Sequence, residues 1–152
     1  MTKQSISKDE RTSALGLMRF ANEYFNSAIA TKKSLQYNTT TTPVYFLLGH
    51  SIELSIKSYL RSRGCSVKEI SSLKHDLSAC LETAKSKGIS GYFILSDEFN
   101  ETFHLINSLH KTTELRYIVT GSKCYPKFEN LRDLAWTFLE KLAPEVGWRL
   151  KT

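Results

Sequence analysis

Residues 42–64, TPVYFLLGHSIELSIKSYLRSRG, constrain this chain more than any other stretch. Threonine followed by proline suits a helix start, where a missing N–H costs nothing. Gly64 suits a helix stop, because glycine readily takes the left-handed turn that closes one. Between them Val44, Leu47, Leu48, Ile52, Leu54, Ile56 and Leu60 cover most of a helix surface. A helix that apolar is a core helix, and other elements must wrap it. One stripe breaks the pattern. His50, Glu53, Lys57 and Arg61 recur at intervals of three and four and therefore share a side. The plainer reading of that stripe is a solvated edge with a Glu53–Lys57 ion pair worth about 0.3–0.5 kcal/mol. The functional reading is a stripe that faces a cleft or a dimer interface.

The elements that would do the wrapping are also helical. Ser7 and Glu10 fit a capping box, which predicts a long helix from there to about Lys33. Leu17, Ala21, Tyr24, Ala28 and Leu35 recur along it at helical spacing. The threonine-rich QYNTTTT then breaks the pattern. After Gly64 comes a loop with one helical turn near Val67–Ser71. Asp76 is placed to cap a third helix that runs to Lys87 and stops at Gly88. ISGYFIL is short and has no second strand to pair with, so it reads as a packed connector. Ser96-Asp97-Glu98 opens a fourth helix, its acids suiting the positive end of the dipole. That helix is expected to run to Thr113 or Tyr117. A fifth follows from Pro126 to just before Pro144.

The fold predicted is therefore all-α, a single up-down helical bundle of about five helices. The 152 residues make one ordinary domain, and 41% apolar content suffices for a core. The core is expected over about residues 8–143. Residues 145–152 are expected to form a flexible tail on which Trp148 can dock. The net charge of +6 permits an RNA, DNA or acidic-protein partner without demanding one. The three cysteines, Cys65, Cys80 and Cys124, are widely spaced and odd in number. They read as reduced thiols of a cytoplasmic protein. The polar start predicts no signal peptide, and no apolar run is long enough for a membrane span.

Chemical motifs are sparse. No G-x-G-x-x-G, phosphate-binding loop or G-x-S-x-G string is present, so no cofactor is predicted. The histidines His50, His75, His104 and His110 form no H-E-x-x-H or other i,i+4 pair, so their spacing predicts no metal site. In SLKHDL, Asp76 reads as a helix cap and His75 as a loop side chain. In LHKTTELRY, His110 and Arg116 would not share a face of one straight helix. They can converge if the helix ends between them. Histidine as base beside an arginine that stabilises a phosphorane is sensible RNA-cleavage chemistry. The plainer reading is a helix C-terminus decorated with cations. The densest basic segment is Arg61, Arg63, Lys68, Lys74 and His75 around the second loop. It can contact phosphates or simply be solvated.

Taken in order, the GHSIELSIKSYLRSRG helix, KHDLSACLETAKSKG, LRY and ENLRDLAWTFLEKL resemble the HEPN superfamily (higher eukaryotes and prokaryotes nucleotide-binding domain) over roughly residues 43–142. The positions that match are His50, Glu53 and Lys57, then His75 and Asp76, then Arg116 and Tyr117. The resemblance implies a bundle of four or five helices, frequently a homodimer. It also implies a role in toxin–antitoxin, phage-defence or other stress systems, with RNA, a nucleotide or a protein such as an antitoxin as partner. Many members are metal-independent ribonucleases that use R-x(4–6)-H. No arginine here precedes a histidine at that spacing, and His110 and Arg116 stand in the reverse order. The expectation is a non-catalytic module that binds through His50, Glu53, Lys57, Arg61, His75, Asp76, Arg116 and Tyr117. The alternative is a divergent ribonuclease that uses His110 or His75 with Arg116.

Overall fold

The computed structural model describes residues 7–36 and 39–151. Residues 1–6 of the polar start, and Tyr37 and Asn38 of the threonine-rich break, lie outside the described residues. The α-helices in chain order are α1 (Lys8–Arg11), α2 (Ala14–Ser34), α3 (Thr42–Ser62), α4 (Val67–Ser72), α5 (Leu77–Ser86), α6 (Asp97–His110) and α7 (Phe128–Leu142). Two short 3-10 turns, Ile89–Gly91 and Pro144–Val146, complete the described elements, and none of the described residues forms a strand. The protein is all-α. The five predicted helices are α2, α3, α5, α6 and α7.

The apolar helix α3 is the axis of the molecule, packed against α2, α5, α6 and α7. Leu48, Ile52, Ile56, Tyr59 and Leu60 are fully buried on it. Its seam with α2 is built from small residues. Ser51 and Ser58 face Ala21 and Ala14, so the two backbones approach closely. Ser51 Oγ donates to the carbonyl of Ala21 at 2.8 Å and Ser58 Oγ to that of Ala14 at 2.6 Å. The numbers rise on one helix as they fall on the other, so the pair is antiparallel. Each buried hydroxyl is thereby satisfied, as a buried polar group must be.

Local signals set most boundaries. Asp76 Oδ1 accepts from the backbone N–H of Ser78 and Ala79, as a helix cap should. Ser96 accepts from Phe99 N–H and opens α6. Gly64 and Gly88 close their helices at φ of 93° and 91°.

Four expectations need correction. The capping box is present, with Ser7 and Glu10 bonded reciprocally. It opens only the single turn of α1, because Ser13 starts a new helix by accepting from Gly16 N–H at 3.0 Å. The N-cap of α3 is Thr41, one residue earlier than predicted. Helix α6 ends at His110, well short of Tyr117, and Thr113 then takes a left-handed φ of 59°. Finally, the tail is not loose as a whole. Val146, Trp148 and Leu150 pack against the core.

Candidate functional site

Glu53 lies at the centre of α3, and its side chain is 3% exposed. Four basic side chains converge on its carboxylate. Lys57, one turn later, donates to Oε1 at 2.7 Å. His110, the last residue of α6, meets Oε2 through Nε2 at 2.6 Å. His75, in the loop before α5, places Nδ1 at 3.2 Å from Oε2 and 3.3 Å from Oε1. His50, one turn earlier on α3, places Nδ1 at 3.6 Å from Oε2. That last separation exceeds hydrogen-bond length. His50 Nδ1 is buried and has no hydrogen-bond partner among the described residues.

These positions follow from the local fold. His50, Glu53 and Lys57 share the face of α3 that turns toward α5 and α6. His110 reaches them because Gly49 leaves room. A Cβ at position 49 would lie 2.9 Å from His110 Nδ1. His75 is aimed by its neighbours on both sides. Lys74 adopts a left-handed φ of 51°, and its carbonyl accepts a second bond from Lys57 at 2.6 Å. Left-handed backbone in a residue with a side chain costs about 1–2 kcal/mol. Lys57 thus helps to hold the turn that presents His75. Asp76 is fixed by Asn107 of α6, whose Nδ2 donates to Asp76 Oδ1 and Ser78 Oγ. Asn107 Oδ1 accepts from Leu77 N–H at 2.8 Å. Asn107 therefore docks α6 on the start of α5, and nothing in its local sequence marks it for that role.

The electrostatics of the cluster favour an ionised Glu53. Burial alone would raise its pKa. The bond from His110, the neighbouring His50 ring and the Lys57 ammonium outweigh burial and hold the carboxyl far below its usual range. His110 is shifted in the opposite sense from an ordinary ion-pair partner. Burial, helped by His50 and His75, outweighs Glu53 and keeps its pKa below 6.5. A neutral His110 that donates Nε2–H to an ionised Glu53 satisfies both directions.

Outside this centre the ring of His50 sits between the edge of Tyr24, at 4.6 Å, and the face of Phe46, at 5.6 Å. The guanidinium of Arg116 covers the same Phe46 ring at 5.2 Å. His75, His110, Phe46, Thr113, Leu115 and Arg116 line a recess of about 10 Å³. That is room for about one water molecule and not for a base or ribose. Arg116 is exposed at its mouth, and Tyr117 beside it is 68% exposed.

The structure therefore brings together His50, Glu53, Lys57, His75 and His110, with Arg116 across the recess. The stripe is not a solvated edge: Glu53 and Lys57 are buried. Arg61 is set apart from the group. Its guanidinium donates to the carbonyls of Thr12, Cys65 and Asp9 at 2.9, 3.1 and 2.8 Å, which makes it a structural tie. Asp76 works as a cap bonded to Asn107. Spacing along one helix cannot show ligands drawn from two. His50, Glu53 and His110 come from two, and their ligand atoms all lie within 4.8 Å of one another. The thiol of Cys80, pushed up to about 12 by burial, is inert at neutral pH. No described helix is long and apolar enough to cross a membrane. Comparison of the chain with known families, curated proteins and solved structures finds no match.

Proposed function

We propose that this chain is a HEPN-like cytoplasmic module that binds RNA or nucleotides through their phosphates, as a homodimer, without cleaving them. The observation that carries this reading is that Arg116 and His75 both line a recess too small for a base. A phosphate oxygen can reach His75 and Arg116 there while the nucleoside stays outside. Tyr117 offers an exposed ring on which a base can stack, an arrangement used widely for single strands. Ile118 and Val119, 77% and 55% exposed, supply apolar surface for a second copy. The test is fluorescence anisotropy with labelled RNA and nucleotides, paired with light scattering for mass. A monomer that binds neither would refute it, and capture of a protein such as an antitoxin in their place would redirect it.

A second reading is favoured by the orientation of His75. Its Nδ1 faces the Glu53 carboxylate, and its Nε2 has no hydrogen bond among the described residues. Its side chain is 33% exposed. A carboxylate that fixes the inner nitrogen and leaves the outer one as base is the logic of a catalytic dyad. Under this reading His75 takes a proton from a ribose hydroxyl and Arg116 steadies the phosphorane. Cleavage of single-stranded RNA in the presence of EDTA, lost in His75→Ala and Arg116→Ala, would establish it. Intact RNA after prolonged incubation would sink it.

A further inference from the structure

The centre of the site carries a feature that RNA binding does not use. His50 Nδ1 is buried and without a hydrogen-bond partner among the described residues, in a box made by Tyr24 and Phe46. Neither ring gives a nitrogen lone pair or N–H a good partner. The atom it does face is Glu53 Oε2, at 3.6 Å. That separation is long for a hydrogen bond and ordinary for two ligands of one metal ion. With metal–ligand bonds of about 2.1 Å, two donors on a tetrahedral ion stand about 3.4 Å apart. His110 Nε2 lies 2.6 Å from the same oxygen.

We infer that His50 Nδ1, Glu53 Oε2 and His110 Nε2 form a binding site for a single divalent transition-metal ion of the zinc class. The three ligand atoms already lie within 4.8 Å of one another. Two imidazoles and a carboxylate are a donor set that suits zinc and its neighbours. Two ligands three residues apart on α3 face a third on α6, which is how helical bundles build metal sites in their cores. The proton on His110 Nε2 moves to Nδ1, which keeps the ring neutral, and the ion takes its place on Nε2. The His110–Glu53 separation then opens from 2.6 Å to about 3.4 Å.

Lys57 is the obvious objection, since a cation already sits on this carboxylate. It sits on the other oxygen. Lys57 Nζ holds Oε1 at 2.7 Å and leaves Oε2 to the histidines. A ligating carboxylate is itself commonly hydrogen-bonded at its outer oxygen, which fixes its orientation. Metal binding needs a neutral imidazole, so the ion competes with protons for the histidines. Three protein ligands leave a coordination position for water or for an oxygen of a ligand. The recess beside His110 also reaches His75 and Arg116, so a phosphate oxygen is the ligand class that the surroundings suit.

The inference stands apart from the RNA reading, and its test needs no RNA. Protein stripped with a chelator and freed of it is titrated with Co(II) and then with Zn(II). The expected result is one equivalent of Co(II), with the visible absorption of a low-coordinate site, displaced by Zn(II). His50→Ala should weaken binding by more than roughly tenfold, the least that loss of an outer-sphere partner usually costs. His104→Ala and Cys124→Ser should leave it unchanged, because both residues are exposed and neither belongs to the cluster around Glu53. Circular dichroism checks that His50→Ala is folded. Nitrogen NMR of the wild-type imidazoles gives a readout that needs no variant: the resonances of His50 and His110 should shift with metal and that of His104 should not. Absence of stoichiometric binding by the folded wild-type protein would overturn the inference. So would binding that survives in His50→Ala or is lost in Cys124→Ser.

Discussion

Glu53 Oε2 and His110 Nε2 lie 2.6 Å apart, both side chains buried, 57 residues apart in the chain. The bond joins the middle of the central helix to the very end of α6. Removing the carboxylate leaves Lys57 buried without its main partner and three imidazoles around an emptied centre. Breaking a buried ion pair from one side typically costs about 3–5 kcal/mol. Glu53→Ala should destabilise by that amount in urea unfolding. Glu53→Leu combined with Lys57→Met should recover part of the loss, because no buried charge is then stranded.

Stability should fall with acidity in two stages. His110 has a folded pKa below its unfolded value of 6.5. The native state thus holds fewer protons, and the contribution of His110 is fully present above that value and is lost as pH falls below it. Glu53 is also depressed, from 4.5, so its contribution persists until the carboxylate range and is lost below it. Urea midpoints at pH 7.5, 5.5 and 4 should decline throughout. In His110→Gln the decline between the first two should shrink.

Gly49→Ala should destabilise the protein although alanine is the better helix former. The gain in propensity is about 1 kcal/mol. The new Cβ would stand 2.9 Å from His110 Nδ1 and 3.4 Å from Ile106 Cγ1, and the buried ring has little room to yield. Overpacking of this kind costs about 1–3 kcal/mol. The clash has a signature: in a His110→Ala background the same substitution should become neutral or stabilising.

Asn107→Ala should cost about 1–3 kcal/mol, the penalty for stranding a buried donor. Leu77 N–H loses its acceptor and Asp76 loses the amide that steadies it. Hydrogen exchange should quicken first at the start of α5.

Arg116→Ala and Tyr117→Ala should leave unfolding free energy within about 0.5 kcal/mol of wild type, as for exposed positions generally. Both should weaken RNA binding in anisotropy titrations. The arginine variant should also flatten the salt dependence, since it removes a phosphate contact.

Much of the fold was legible because helix boundaries are local. Asp76, Ser96, Gly64 and Gly88 each announce a start or a stop within a few residues, and each acts as its type predicts. The break between α1 and α2 is hard to see in sequence because Ser7 and Ser13 are both good caps, and a cap at Ser7 alone implies one continuous helix. The site was half legible. Helical spacing put His50, Glu53 and Lys57 on one face, yet spacing cannot say whether a face meets water or another helix. What decides it is the arrival of His75 and His110, and that depends on where two loops end. The same limit concealed the grouping of His50 with His110. Gly49 was the available signal: a glycine inside an otherwise apolar helix marks a close approach.

Arg61 looked like a ligand-binding cation and turned out to be a fastener. Its three nitrogens hold carbonyls on the segment before α2 and on the turn after α3. Asp9 adds a return bond, its Oδ1 accepting from Val67 N–H at 3.3 Å. The cooperative unit therefore begins at Asp9, ahead of the first long helix. A lysine at position 61 has one nitrogen for carbonyls that the guanidinium reaches with three. For the same reason, trimming the chain back to Ala14 would strip the far end of the central helix of its clasp.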